Sequence, residues 1–155
     1  MIIRIPFLFI LFLVSIISNS QTKAETENWI IEKLNKHSRF LNDNNKELNM
    51  YYNYTNYQFQ LKDGFLTITC DVLFYMKNPS FERFGEIKSK EKKVLDIGEI
   101  KEVRCEANLV IVNNDGTRAN IGFDCYTEEN LEARLKKAFN HLKVFYPRKK
   151  KKEAF

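Results

Sequence analysis

Polar and apolar positions alternate with two different periods along this chain, and the change of period divides it into helices and strands. From Thr26 to about Leu41, apolar residues recur every three or four positions, which predicts a helix with Thr26 as its N-cap. A second stripe of this kind follows Thr127, runs to about Phe145 and ends before Pro147, which predicts a C-terminal helix. This second stripe consists of Leu131, Leu135, Ala138, Leu142 and Phe145, broadened by Phe139.

Between the two helices the period falls to two, which predicts antiparallel strands. Asp63-Gly64 separates two such runs and is a strong hairpin signal, and Asn114-Asp115-Gly116 predicts a second hairpin. The predicted strands are Tyr51–Leu61, Phe65–Met76, Lys92–Ile97, Ile100–Asn113 and Arg118–Tyr126. One face of the second strand carries Leu66, Ile68, Cys70, Val72 and Phe74, and one face of the fourth carries Val103, Cys105, Ala107, Leu109 and Ile111. Five to seven strands are expected in total.

Two segments lack either period and are predicted to be loops. Leu41–Asn49 is polar and rich in asparagine, and it lacks the glycine and the closing acid that a calcium loop needs. Lys77–Lys93 is expected to be a loop with a short charged edge strand. Its scattered apolar residues, Phe81, Phe84 and Ile87, make it a candidate partner-binding loop, because loops often carry function.

The two ends of the chain predict its processing and location. A 13-residue apolar run from Ile5 to Ile17 follows Arg4 and precedes a small polar stretch that ends at Ser20, as in a secretory signal peptide. Cleavage after Ser20 is predicted, with an uncleaved anchor as the alternative. The expected product is one exported α+β domain, residues 21–147, with a basic disordered tail, residues 148–155. The predicted location is periplasmic or secreted.

Net charge is concentrated in the tail. The chain has 25 Lys plus Arg against 20 Asp plus Glu, but residues 21–147 contain 19 of each sign, so the body is neutral. Nucleic acid is therefore not an expected partner, since phosphate binding needs clustered cations. The basic run is a candidate contact for an anionic membrane or polymer surface, against the alternative of a solvated tail. It consists of Arg148, Lys149, Lys150, Lys151 and Lys152.

Three cysteines and two histidines carry the reactive side chains of the body. Cys70, Cys105 and Cys125 all fall on apolar strand faces, so either three buried thiols or one disulfide is expected, with the pairing left open. Spacing indicates neither a zinc site nor a redox pair. His37 is expected to be a buried histidine satisfied by a neighbour, and His141 to border the core. No nucleophile elbow or phosphate loop is present in the sequence, so no enzyme, cofactor or metal is predicted.

The order of elements carries a resemblance. Hairpin strands, the segment Val94-Leu-Asp-Ile-Gly-Glu-Ile100, further strands and one closing helix resemble pleckstrin-homology-like domains over Met50 to Tyr146. The helix segment Leu135-Lys-Lys-Ala-Phe-Asn-His-Leu142 also resembles the closing helix of small exported bacterial proteins of unknown function. The resemblance implies an antiparallel sheet or partly open barrel of five to seven strands and a scaffold that binds peptides or lipid headgroups. A cystatin-like arrangement is the alternative, because an N-terminal helix is added.

Two functional hypotheses follow. The first is a small exported, non-enzymatic binding domain that contacts a protein or a cell-envelope component through a sheet edge or the Lys77–Lys93 segment. The second is a ligand-carrying or hydrolytic domain with a pocket inside the sheet. The aromatic residues proposed to line that pocket are Tyr51, Tyr54, Tyr57 and Phe59.

Overall fold

The computed structural model describes residues 21–45, 50–77 and 83–147. The predicted signal peptide, the predicted basic tail with Arg148 to Lys152, and Phe81 of the candidate partner loop lie outside these residues. Within them the chain is α+β, with two helices and two antiparallel sheets that do not close into a barrel. Neither helix of this part of the chain is long and apolar enough to cross a membrane.

The first helix, α1 (Lys23–His37), begins one turn earlier than predicted. Thr22, not Thr26, is the N-cap: it forms a capping box with Glu25, in which each side chain accepts the other residue's backbone N–H. Thr26 instead lies inside the first turn, where its hydroxyl donates to the Thr22 carbonyl oxygen at 3.0 Å. The helix ends at His37, so the predicted extension to Leu41 is wrong.

A four-stranded antiparallel sheet follows, in the order β1-β2-β3-β4. Its strands are β1 (Leu41–Asn45), β2 (Met50–Lys62), β3 (Phe65–Lys77) and β4 (Arg83–Asp96). The Asp63-Gly64 hairpin between β2 and β3 is confirmed, with φ of 52° and 84° at its two residues. Two predicted loops are wrong in part, because β1 occupies the start of one and β4 most of the other. Both strands carry polar residues on both faces, so alternation did not reveal them over their full length, yet each hydrogen-bonds to a more apolar neighbour.

A three-stranded antiparallel sheet comes next, in the order β5-β6-β7, after a short 3-10 helix at Ile97–Glu99. Its strands are β5 (Ile100–Cys105), β6 (Leu109–Asn113) and β7 (Arg118–Ile121). The predicted single strand Ile100–Asn113 is therefore split, and Ala107 is exposed in the turn instead of facing inward. The hairpin at Gly116 is confirmed. Arg118–Tyr126 is a strand only as far as Ile121.

The last helix, α2 (Leu131–Phe145), begins four residues after the predicted start at Thr127. Asn130, at φ 56°, ends the connecting turn and leaves Thr127 and Glu128 free to contact α1. The predicted apolar stripe is buried except for Phe145, which is 43% exposed near the end of the helix. The helix ends before Pro147, as predicted.

The core lies between the three-stranded sheet, the two helices and one end of the four-stranded sheet. Its largest fully buried side chains include Ile30, Leu34, Leu109, Phe123 and Phe139. A disulfide joins Cys105 to Cys125 across this core, with Cα atoms 5.6 Å apart, and Cys70 is a buried free thiol. Of the two expectations for the cysteines, one bridge is correct and three free thiols is wrong.

Candidate functional site

A cleft opens where the two sheets diverge, and we call it the inter-sheet cleft. Strands β2 to β4 have 13 or 14 residues and the strands of the smaller sheet four to six, so the smaller sheet covers only part of the inner face of the larger one. The cleft has a volume of about 370 Å³. Its lining residues are Leu41, Asp43, Tyr54, Tyr57, Ile68, Cys70, Glu91, Lys93 and residues 118–121 of β7.

The deepest part of the cleft is apolar. Alternation along β3 points Ile68 and Cys70 inward, and both are less than 9% exposed. Leu41 from β1 and Ile121 from β7 are buried against them, at 6% and 1% exposure. These side chains lie in a cleft that remains open on one side, so they form an apolar floor that a ligand could cover.

Two tyrosines face the same cleft because β2 contains a β-bulge. Tyr54 and Tyr57 are three positions apart, so in a regular strand they would point to opposite faces. The register shifts between Thr55 and Gln58, and Asn56 adopts a left-handed conformation at φ 52°. The Asn56 amide nitrogen donates to the Asp71 carboxylate at 2.8 Å, which fixes the bulge. The bulge thereby brings both aromatic rings to one site.

Both tyrosine hydroxyls of the cleft are protonated at neutral pH, and their pKa values are raised further above it. Burial, together with the nearby Glu91 and Asp43 carboxylates, raises the pKa of Tyr54 to about 12. Burial also raises the pKa of Tyr57 to about 12, although its hydroxyl oxygen accepts the Gly122 backbone N–H at 3.3 Å. The Tyr57 proton therefore remains available to an acceptor inside the cleft.

The rim carries charges of both signs. Lys93 forms an ion pair with Glu91, two positions back on β4, at 2.9 Å. Asp43 and Arg118 are on opposite strands of the lining and have no ion-pair partner among the described residues. The rim thus offers a neutral pair together with one unpaired anion and one unpaired cation.

Asn120 adds an unsatisfied acceptor to the lining. Its side-chain oxygen is buried and has no hydrogen-bond partner within residues 21–45, 50–77 and 83–147. A buried acceptor of this kind costs about 1–3 kcal/mol when it stays unpaired. Because this oxygen has almost no accessible surface, it is a cost to stability and not an open contact point of the cleft.

Cys70 is poorly suited to nucleophilic chemistry. Burial, with Glu91 and Asp71 nearby, raises the pKa of its thiol to about 11. The thiolate is the reactive form, so little of it is present at neutral pH. No histidine lines the cleft to act as a base, and His37 and His141 lie elsewhere.

His37 belongs to a cluster of ionic contacts that joins α1 to the turn before α2. It is 5% exposed, and its Nε2 lies 3.0 Å from the Glu128 carboxylate while its Nδ1 lies 2.7 Å from the Thr127 hydroxyl. The expectation of a buried, satisfied histidine is confirmed. Lys36 at 2.7 Å and Lys33 at 2.9 Å bind the same carboxylate and hold the pKa of Glu128 well below its usual range. We interpret this cluster as a structural contact that fixes α1 to the turn before α2.

A second concave surface, the outer groove, lies on the opposite face of the long sheet. Its volume is about 700 Å³, and Asn53, Asp71, Leu73, Lys88 and Lys90 line it together with the exposed ring of Phe40. Near one end of this face, Tyr51 and Tyr75 stack with ring centroids 5.2 Å apart. Lys88 and Lys90 of β4 border this surface.

The structure distributes the residues singled out from sequence among different surfaces. Ile87 lies in β4 and is 58% exposed, and Phe84 also belongs to β4, so the predicted partner loop is a strand at these positions. Tyr54 and Tyr57 line the inter-sheet cleft as hypothesised. Tyr51 instead lies on the outer face, and Phe59 packs against the core.

Sequence reasoning missed the polar residues of the cleft. Asp43 lay in a segment predicted to be a loop, and Arg118 and Asn120 belonged to a strand considered only for its inward positions. These side chains meet through the packing of two sheets, which no local pattern encodes. No cluster of three or more potential metal ligands occurs in the part of the chain that the structure describes.

Comparison with known proteins identifies no relative of this chain. Neither the models of protein families, nor the curated proteins, nor the solved structures contain a match to this chain. The functional argument therefore depends on the geometry of the site.

Proposed function

We propose that this protein is a small non-enzymatic binding module that takes its ligand in the inter-sheet cleft. The observation that carries the proposal is the combination of a buried apolar floor with polar groups that converge on a volume of about 370 Å³. Ligand sites are typically concave, largely apolar and provided with a few oriented polar groups. Export after a signal peptide and a pleckstrin-homology-like arrangement of the sheets remain part of this proposal.

A binding role is favoured over a hydrolytic one by the chemistry of the lining. The cleft's single thiol has a pKa raised to about 11, and its two tyrosines stay protonated to about pH 12. Hydrolysis through a side-chain nucleophile needs an activated group next to a base. The lining supplies hydrogen-bond donors and charge instead, which orient a ligand without changing it.

A thermal-shift screen of small polar molecules against purified residues 21–155 tests the proposal. We expect hits that raise the Tm of the wild type and of Cys70→Ala but act less on Cys70→Leu, because the larger leucine side chain protrudes from the apolar floor into the cleft. Asn120→Phe is a second filling variant, in case the first is unstable. Hits that act equally on the filled and unfilled variants, or a screen without hits, would reject the cleft as the site.

A second candidate function is contact with a protein or a cell-envelope component through β4. The observation that favours it is the surface of this strand: Ile87 is 58% exposed, and Lys88, Lys90 and Lys92 follow on exposed positions of one face. Such charges also protect sheet edges from unwanted pairing. Capture from envelope extract by wild type, but not by Ile87→Ser or by a Lys88/Lys90/Lys92→Gln variant, would support this candidate. Equal capture by all three would count against it.

A further inference from the structure

We infer that the ligand of the inter-sheet cleft is a small zwitterion with an apolar side group, that is, a free amino acid or a dipeptide. This inference rests on the proposed function and adds a ligand class to it. Three features of the lining lead to it: the two unpaired charges, the tyrosine rings and the volume.

The unpaired charges on the rim match the two ends of a zwitterion. Asp43 and Arg118 have no ion-pair partner within the described ranges, whereas Glu91 and Lys93 already neutralise each other. An ammonium group suits the Asp43 carboxylate, and a carboxylate suits the planar guanidinium of Arg118, which can bind it through two parallel hydrogen bonds. A ligand with a single charge would leave one of the two without a partner.

The interior of the cleft suits an apolar or aromatic side group. Tyr54 and Tyr57 present ring surface beside the buried Ile68 and Cys70. Tyr57 is held in place by stacking on Phe59, with ring centroids 6.1 Å apart and an angle of 11° between the planes. A further aromatic ring packs favourably against such partners, beyond the area that it buries.

The size of the cleft suits a small molecule. A volume of about 370 Å³ lies within the usual range of ligand pockets and accommodates an amino acid or a dipeptide.

Isothermal titration of residues 21–155 with four matched probes tests the ligand class. The probes are L-phenylalanine, its N-acetyl derivative without the ammonium, its amide without the carboxylate, and benzyl alcohol with neither charge. We expect phenylalanine to bind about twofold to fivefold more tightly than either singly charged probe, in line with the modest strength of exposed ion pairs. Benzyl alcohol should bind most weakly.

Two variants test which charged residue of the rim binds which end of the ligand. Asp43→Asn should abolish the preference for phenylalanine over its N-acetyl derivative, and Arg118→Gln the preference over its amide. Glu106→Gln and Lys137→Gln are matched controls, since both lie on exposed positions outside the cleft. Neither control should change any of the four affinities.

The outcomes separate this inference from the function on which it rests. If the four probes bind equally, or bind without sensitivity to Asp43→Asn and Arg118→Gln, the zwitterion is wrong. When other hits of the thermal-shift screen still discriminate Cys70→Leu from wild type, the cleft remains the binding site and only the ligand class fails. When no compound discriminates the filled variants, both proposals fail together.

Discussion

The two sheets of this protein differ in how much of their surface is covered. In the three-stranded sheet every strand has buried positions, and α2 packs against β5 above a disulfide. In the four-stranded sheet, burial is concentrated near the β2–β3 hairpin, at Leu66, Ile68 and Leu95. Farther along the same face, Phe74 is half-buried and Ile87 exposed. One sheet therefore builds the core, and the other extends beyond it and borders the cleft.

This difference separates the residues that stabilise the fold from those proposed to bind. Shortening a side chain in the core at the three-stranded sheet removes contacts on all sides of that side chain. Shortening one in the extended part of the four-stranded sheet removes contacts on one side only. The predictions below compare the two regions, beginning with the largest effect.

The largest effect is expected in the core between α2 and the small sheet. Phe139→Ala should lower the free energy of unfolding by about 3–5 kcal/mol, because its ring is fully buried and the space left behind cannot be filled. Phe74→Ala, in the extended half of β3, should cost less than about 2 kcal/mol. Urea unfolding of both variants measures the difference. Equal losses would contradict the separation of the two regions.

The disulfide should have the next largest effect. It closes a loop over a sequence separation of 20, so the Cys105→Ala/Cys125→Ala double variant should lose about 3 kcal/mol. Cys70→Ala is the control, and it should lose clearly less because its side chain borders the open cleft. A free-thiol titration of the unfolded wild type without reductant should find one thiol; three would refute the bridge.

Gly122 directly follows β7 and packs against the backbone of the segment that follows α1, so a side chain at this position should be unfavourable. An added Cβ would lie 2.2 Å from the Arg39 carbonyl oxygen, and the Arg39 N–H donates to Gly122 at 2.7 Å. Gly122→Ala should therefore cost about 2–3 kcal/mol. Gly116→Ala meets no atom within 4 Å, so only its positive φ of 87° counts, at about 1 kcal/mol. Thermal unfolding that ranks Gly116→Ala as the more harmful variant would contradict this account.

A smaller effect should appear in the pH dependence of stability. Lys36 and Lys33 lower the pKa of Glu128 in the folded protein, so this carboxylate stabilises the fold above its unfolded pKa of about 4.3. Its contribution is lost as the pH falls from there toward the folded pKa. Glu128→Gln should therefore destabilise the protein at pH 7 and lose less stability than wild type between about pH 5 and 3. If the stabilities of wild type and Glu128→Gln change in parallel over this pH range, the ionic contacts of Glu128 do not stabilise the fold.

Much of the fold follows from local patterns, and the failures have physical causes. Alternation identified β3 and its buried face, and turn residues identified both glycine hairpins. Only the end of β4 was predicted, as Lys92–Ile97, and its full length was missed because charged residues occupy both of its faces, so pairing with β3 decides its structure. The start of α1 was misplaced by one turn, because Thr22 and Thr26 are both good caps and only Thr22 has a glutamate three positions later.

The cleft could be anticipated only in part. Aromatic residues along β2 suggested a lining, although a regular strand would point Tyr54 and Tyr57 to opposite faces. The bulge at Asn56 reverses this, and no local pattern in the sequence indicated the bulge. Asp43 and Arg118 line the same cleft from two different sheets, so their placement there depends on tertiary packing.

The central claim is that the uncovered part of the long sheet binds a ligand at its border with β7. The most direct test is a map of backbone amide chemical shifts for ¹⁵N-labelled residues 21–155 titrated with L-phenylalanine. The account predicts shifts confined to residues 118–121 of β7 and to the bulge at residues 54–57, and smaller shifts in Cys70→Leu. Shifts that cluster on the outer groove or on α2, or that persist unchanged in Cys70→Leu, would contradict it.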